Sequence, residues 1–243
     1  MKKSVVIRAP LLSCSGYGVH SRQIFKWLIS REDLDICAQV VQWGMTSWMI
    51  NPKLENGLIE EVMKRSGVKG NDDTFDISFQ VQLPDEWDPK LAKFNFGVSA
   101  VVETLTCNPS WIESCNNMDA IIVPSNHAKR CLENTGSVNV PILVVPESFV
   151  EAIEDEDIEP LDLDLNTSFN FLIFGQMTGN TSENDRKNIF NTVKWLCEVF
   201  KDDPSVGIIL KTNQGTGTRI DRNLTKRTVS GMIESMRDGP YPR

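Results

Sequence analysis

Apolar positions along the chain fall into short runs that alternate between two periods. Residues 4–9 (SVVIRA) form a run rich in β-branched side chains and closed by Pro10, the pattern of a buried strand. After a loop holding Ser13, Ser15, Gly16 and Gly18, residues 19–29 place Ile24, Phe25, Trp27 and Leu28 at helical spacing, and residues 36–43 read as a second strand. The same reading predicts a helix over 54–65 that stops near Gly67, strands over 75–81 and 94–102, and a helix over 111–117. A strand over 120–123, a helix over 126–134 and a strand over 142–145 follow. Strands separated by helices favour crossover connections, so the first domain, residues 1–150, is predicted to be α/β, a Rossmann-like parallel sheet covered by helices.

Residues 151–165 are dominated by Asp and Glu, with Pro160 among them, and residues 151–167 read as an acidic linker. Beyond it, residues 168–243 carry a strand over 169–174, a helix over 187–200, a strand over 206–210 and a helix over 225–236. Two strands and two helices cannot cover both faces of a doubly wound sheet. This second Rossmann-like domain is therefore expected to be partial.

Composition narrows the partners. The 243 residues hold 33 acidic and 25 basic side chains, a net charge of −8, whereas polyanion-binding surfaces need an excess of Lys and Arg. Nucleic acid is not an expected partner. The six cysteines (Cys14, Cys37, Cys107, Cys115, Cys131, Cys197) contain no C-x-x-C pair, and His20 and His127 lie far apart, so neither a zinc site nor a disulfide framework is expected. The apolar run after Lys3 is too short for a signal peptide, and nowhere do eighteen apolar residues run together. A cytoplasmic protein with no transmembrane segment is the expectation.

The candidate chemistry lies at strand ends. Ser13-Cys14-Ser15-Gly16-Tyr17-Gly18 between a strand and a helix suits a diphosphate: glycine permits close backbone approach, and a helix start offers free N–H groups. The spacing departs from G-x-G-x-x-G, with Ser21 in the third position, and no acidic residue ends the second strand as a dinucleotide fold prefers. Arg186 and Lys187 open a predicted helix, where the helix dipole disfavours cations and an anion would hold them. Lys211 follows an apolar strand at the edge where α/β sheets bind ligands. Glu103, after the apolar run 98–102, is placed to orient an acceptor hydroxyl or take its proton, and His20 is a second candidate for that role. Asp162-Leu163-Asp164 belongs with the acidic run around it.

Five segments in order carry a resemblance to retaining GT-B glycosyltransferases of the "group 1" kind. Residues 16–22 (GYGVHSR) resemble the family's first Gly-rich loop, and residues 98–111 (VSAVVETLTCNPSW) its segment with Glu-Thr and a later Pro-x-Trp. Residues 119–125 (DAIIVPS) are similar to its strand ending in Pro-Ser, and residues 141–146 (PILVVP) to the strand leading out of the N-terminal domain. Residues 169–175 followed by Arg186-Lys187 resemble the opening of its donor domain. The resemblance implies a hexosyltransferase-type enzyme that moves a sugar from a nucleotide-sugar donor to a carbohydrate, lipid or protein acceptor without a required cofactor or metal. It implies Gly16 and Gly18 facing the donor phosphates, Arg186 and Lys187 holding the diphosphate, and Glu103 or His20 near the acceptor. Three departures stand out. Gln176 occupies a place where many relatives have Arg, leaving Lys211 as a replacement cation. Glu103 is read where many carry His. The Glu-containing donor motif would fall beyond Arg243, which predicts weak nucleotide binding and little transfer by the chain as given. The alternatives are a non-catalytic sugar- or nucleotide-sugar-binding protein that keeps the scaffold, and a Rossmann-type oxidoreductase.

Overall fold

A computed structural model describes residues 2–67, 74–149, 159–179 and 181–236. The chain divides into two compact units, Met1–Glu154 and Asp155–Arg243. Part of the acidic stretch, residues 151–158, lies outside the described residues; the exposed segment 159–165 after it has no regular structure.

The first unit contains β1 (Lys3–Ala9), α1 (Gly16–Ile29), β2 (Leu34–Val40), α2 (Leu58–Arg65), β3 (Phe75–Val81), β4 (Ala92–Val98), α3 (Ser110–Asn116), β5 (Ala120–Val123), α4 (Asn126–Thr135) and β6 (Ile142–Val144). All six strands pair in parallel in the order β2-β1-β3-β4-β5-β6, and helices flank the sheet, as the strand–helix alternation predicts. The order reverses between β1 and β3. In open α/β sheets the crevice outside the carboxyl ends of the two strands at such a reversal is where ligands bind.

Burial explains the layers. Val5, Ile7 and Ala9 of β1 are buried in one cluster with Phe25 and Leu28 of α1 and Ile59 and Val62 of α2. Ile121 and Val123 of β5 form another cluster with Trp111 and Cys115 of α3 and Ala128, Cys131 and Leu132 of α4. A buried polar group, Asn95 on β4, accepts from Ser78 Oγ (2.7 Å) and Ala92 N (3.0 Å) and donates to the carbonyls of Pro89 (2.9 Å) and Ala92 (2.8 Å). Those bonds satisfy the amide and fasten the loop before β4 beneath the sheet.

The second unit contains β7 (Phe169–Gln176), α5 (Ile189–Val199), β8 (Val206–Asn213) and α6 (Arg219–Met236). β7 and β8 form a two-stranded parallel sheet with Phe171 opposite Ile208 and Phe174 opposite Lys211. Ile173, Ile208 and Leu210 pack against Ile189, Phe190 and Val193 of α5 and Met232 of α6. Leu172 and Phe174, alternating with Ile173 along β7, are exposed. No helix among the described residues of either unit is long and apolar enough to cross a membrane.

Candidate functional site

The Gly-rich segment lies at the β1 side of the strand-order reversal. It is the first turn of α1 itself, since the helix starts at Gly16, three residues earlier than the hydrophobic spacing alone indicates. Ser15 is its N-cap, in extended conformation, and its Oγ accepts from Gly18 N at 3.1 Å. Ser13 Oγ bonds Ser15 Oγ (2.8 Å) and Thr46 Oγ1 (2.7 Å). The two glycines differ. A Cβ at Gly18 would overlap the Ser13 carbonyl oxygen and lie 2.9 Å from its carbon, whereas a Cβ at Gly16 would meet nothing within 4 Å. The fold requires glycine at 18. At 16 neither crowding nor a positive φ requires it.

Arg22, on the second turn of α1, holds this loop from beneath. Its guanidinium is buried and donates from Nη1 to the carbonyls of Leu11 (3.1 Å) and Ser13 (2.9 Å) and from Nε to Glu55 Oε1 (2.6 Å). Glu55 reaches it from a left-handed run, Glu55, Asn56 and Gly57, with φ of 49°, 55° and 86°. Tyr17 fastens the loop from the side. Its ring stacks on Trp43 at 4.0 Å, its hydroxyl bonds Ser99 Oγ at 3.0 Å, and it accepts from Ala100 N at 3.0 Å. Burial pushes the Tyr17 phenol above its ordinary value despite the Ser99 bond, so it stays protonated.

On the β3 side of the reversal stands Gln82, 4 % exposed, which follows the last residue of β3 and whose Oε1 has no hydrogen-bond partner among the described residues. A buried unsatisfied amide oxygen is unusual in a native fold and marks a place for a donor from a ligand or water.

His20 lies on α1, two residues past Gly18. It is buried, with Nδ1 3.5 Å from Glu147 Oε1 in the segment that follows β6. Gln23 binds the same segment, donating to Ser148 O at 2.7 Å and accepting from Ser148 N at 3.1 Å. Desolvation pushes the imidazole below its ordinary value of 6.5, against the opposing pull of Glu147. A value lower in the folded than in the unfolded chain means that the unfolded chain binds the proton more readily. The stability His20 contributes is thus fully present above about pH 6.5 and is lost as pH falls towards the folded value. The urea midpoint is expected to fall as pH drops below about 6.5, and this part of the fall to be absent in His20→Gln. An unchanged pH profile in that variant would contradict the assignment.

Glu103 is not at a strand end. β4 ends at Val98, where its last ladder pair is Ile122 of β5, and Glu103 lies exposed on the connection to α3, past Val101 with φ of 60°. The Tyr17–Ser99 bond anchors the beginning of that connection to the Gly-rich turn.

In the second unit Arg186 and Lys187 precede α5 instead of opening it. The charge at the helix start belongs to Asp185, buried, which accepts from Ile189 N (2.7 Å), Lys187 N (3.4 Å) and Thr178 Oγ1 (3.1 Å). Those bonds outweigh burial and hold its carboxyl below the usual range. The two cations are exposed, and the Lys187 stem runs beside Gly175 near the end of β7, with Cβ and Cγ each 3.8 Å from where a Gly175 Cβ would stand. Gln176 Nε2 donates to Gly215 O at 3.3 Å. Lys211 is not a strand-end residue, because β8 continues to Asn213; it stands exposed opposite Phe174.

Within the first unit, therefore, Gly16, Gly18 and His20 share the first turns of α1, and Glu103 stands apart on a loop tethered to them through Tyr17. Arg22, Glu55, Gln82 and Glu147 belong to the same region and were not marked by the sequence pattern. Comparison with known protein families finds none that matches the chain, and comparison with curated proteins finds no match.

Proposed function

We propose that the protein binds a nucleotide-sugar and acts as a glycosyltransferase of the retaining GT-B type, with the donor diphosphate at the N-terminus of α1. The observation that carries this reading is the coincidence of that N-terminus with the strand-order reversal between β1 and β3. Gly16, free of any crowding that would demand glycine, favours close approach by a ligand. Developing charge on a departing diphosphate would be met by backbone N–H groups fixed before reaction by Arg22 and the Ser15 cap; on the second unit, taken by itself, the exposed Arg186 and Lys187 are candidate anion contacts. Lys211 is a further candidate anion contact on that unit. His20, kept neutral by burial, can accept a proton from an acceptor hydroxyl, with Glu147 stabilising the imidazolium; Glu103 remains the second candidate.

The test is a transfer assay over a panel of nucleotide-sugars and simple acceptors, reading release of nucleoside diphosphate. Slow donor-dependent release is expected, reduced about tenfold or more in Gly16→Ala because the added methyl keeps phosphate from the backbone N–H groups of the first turn. Saturable nucleotide-sugar binding with no release by any donor would instead favour the non-catalytic binding protein. Binding of a nicotinamide dinucleotide alone would favour the oxidoreductase.

A further inference from the structure

The second unit holds a feature that the transferase reading does not use. A cavity of about 330 Å3 opens between the carboxyl-terminal half of β8 and α6. Its walls include Leu210, Thr212 and Val229, and its polar rim carries Arg222, Lys226 and Ser230. Those last three are spaced i, i+4, i+8 and so form one line along α6. We propose that this cavity is a distinct anion site that takes a small phosphate-bearing molecule on Arg222, Lys226 and Ser230.

Charge placement supports it. The chain carries a net −8, yet residues 219–227 hold four cations (Arg219, Arg222, Lys226 and Arg227) against the single acid Asp221. Arg219 and Arg222 stand in the first turn of an eighteen-residue helix, where the dipole disfavours them, and Arg222 and Lys226 repel each other across one turn. A bound anion reverses both penalties. Asp221 Oδ2 is engaged away from Arg222 and Lys226, accepting from the N and Oγ1 of Thr216 (3.1 and 3.2 Å) and of Thr218 (3.0 and 2.8 Å). At the helix start, Asp221 N donates to Thr218 Oγ1 (3.2 Å) and Arg222 N to Thr218 O (2.9 Å), and the site is the cation line rather than the helix end.

The donors are also oriented. Arg222 Nε donates to Gly217 O at 3.2 Å, which steers the guanidinium and leaves its terminal nitrogens for an incoming oxygen. Among the described residues neither Arg222 nor Lys226 has a carboxylate partner. The volume lies at the small end of ligand pockets, roughly 300–1,000 Å3, which suits one phosphate and a body the size of a monosaccharide resting against Leu210 and Val229. It is too small for a dinucleotide. The inference does not depend on the transferase reading.

Calorimetric titration of the full chain with glucose 6-phosphate, inorganic phosphate and glucose tests it, in the Lys187→Ala background so that the first candidate phosphate contact is removed. Saturable binding of both phosphates and not of glucose is expected, with glucose 6-phosphate the tighter. Its dissociation constant is expected at roughly 1 mM or below and to rise about tenfold or more in Lys226→Ala and in Arg222→Ala. Both residues are exposed, and circular dichroism and thermal midpoint are expected to be unchanged. Failure to saturate, equal binding of glucose, or phosphate binding indifferent to Lys226→Ala and Arg222→Ala would each overturn the proposal. Binding present in the wild type and abolished by Lys187→Ala would place the phosphate at Lys187 and overturn it as well.

Discussion

Arg22→Ala is expected to destabilise the first unit by about 2–4 kcal/mol, among the largest effects of any single substitution in it. Arg22 is 3 % exposed, and its guanidinium makes three hydrogen bonds, two to the carbonyls of Leu11 and Ser13 and one to Glu55. Its removal leaves two carbonyls and a carboxylate without their donor. Breaking a fully buried ion pair costs about 3–5 kcal/mol; here the Glu55 side chain is 37 % exposed, and solvent screening reduces the charge part. The left-handed conformation of Glu55 and Asn56 would lose the contact that holds it. Urea unfolding measures the change directly. Arg22→Lys is expected to recover little, because one ammonium on an unbranched stem does not reproduce a planar fork serving three acceptors. A loss below about 0.5 kcal/mol, the level of an ordinary surface change, would mean that Arg22 does not hold the loop.

The second large effect separates two glycines a single residue apart. Gly18→Ala is expected to cost about 2–4 kcal/mol, because its Cβ would overlap the Ser13 carbonyl and the loop would have to shift together with the Arg22 and Ser15 bonds. Gly16→Ala meets open space at the first position of the helix and is expected to leave stability unchanged or raise it by roughly 0.5–1 kcal/mol. Thermal midpoints of the two variants, measured side by side, check the contrast. Equal losses would show that the backbone around Ser13 adapts.

The sequence made much of this scaffold legible, for a physical reason: strands buried in a parallel sheet read as apolar runs, and the flanking helices show helical spacing of Phe25 and Leu28 or of Phe190 and Val193. Strand order was not legible, because the adjacency of β1 and β3 is a contact between residues about 70 apart. Boundaries slipped where apolarity and pairing diverge. Residues 99–102 are apolar enough to extend a strand, yet the ladder stops at Val98 and Val101 turns left-handed. β8 runs on through the polar Lys211, Thr212 and Asn213 because β7 supplies partners as far as Gln176.

At the candidate site, Gly16, Gly18 and His20 could be found because a strand, a Gly-rich turn and a helix are local. Arg22–Glu55 and His20–Glu147 span 33 and 127 residues, and nothing in the neighbouring residues announces them. From the sequence alone, the cations before α5 have no local electrostatic explanation. Asp185, one position earlier, supplies the helix with its negative charge, so Arg186 and Lys187 need not oppose it.

The central claim, that a donor diphosphate sits against the first turn of α1, is tested most directly by calorimetric titration of wild type and Gly16→Ala with a panel of nucleoside diphosphates and their sugars. The account predicts weak, saturable binding by the wild type that weakens about tenfold or more in Gly16→Ala at an unchanged thermal midpoint, because the added methyl keeps phosphate from the backbone N–H groups without disturbing the fold. Absence of saturable binding in the wild type, or equal affinity in Gly16→Ala, would contradict it.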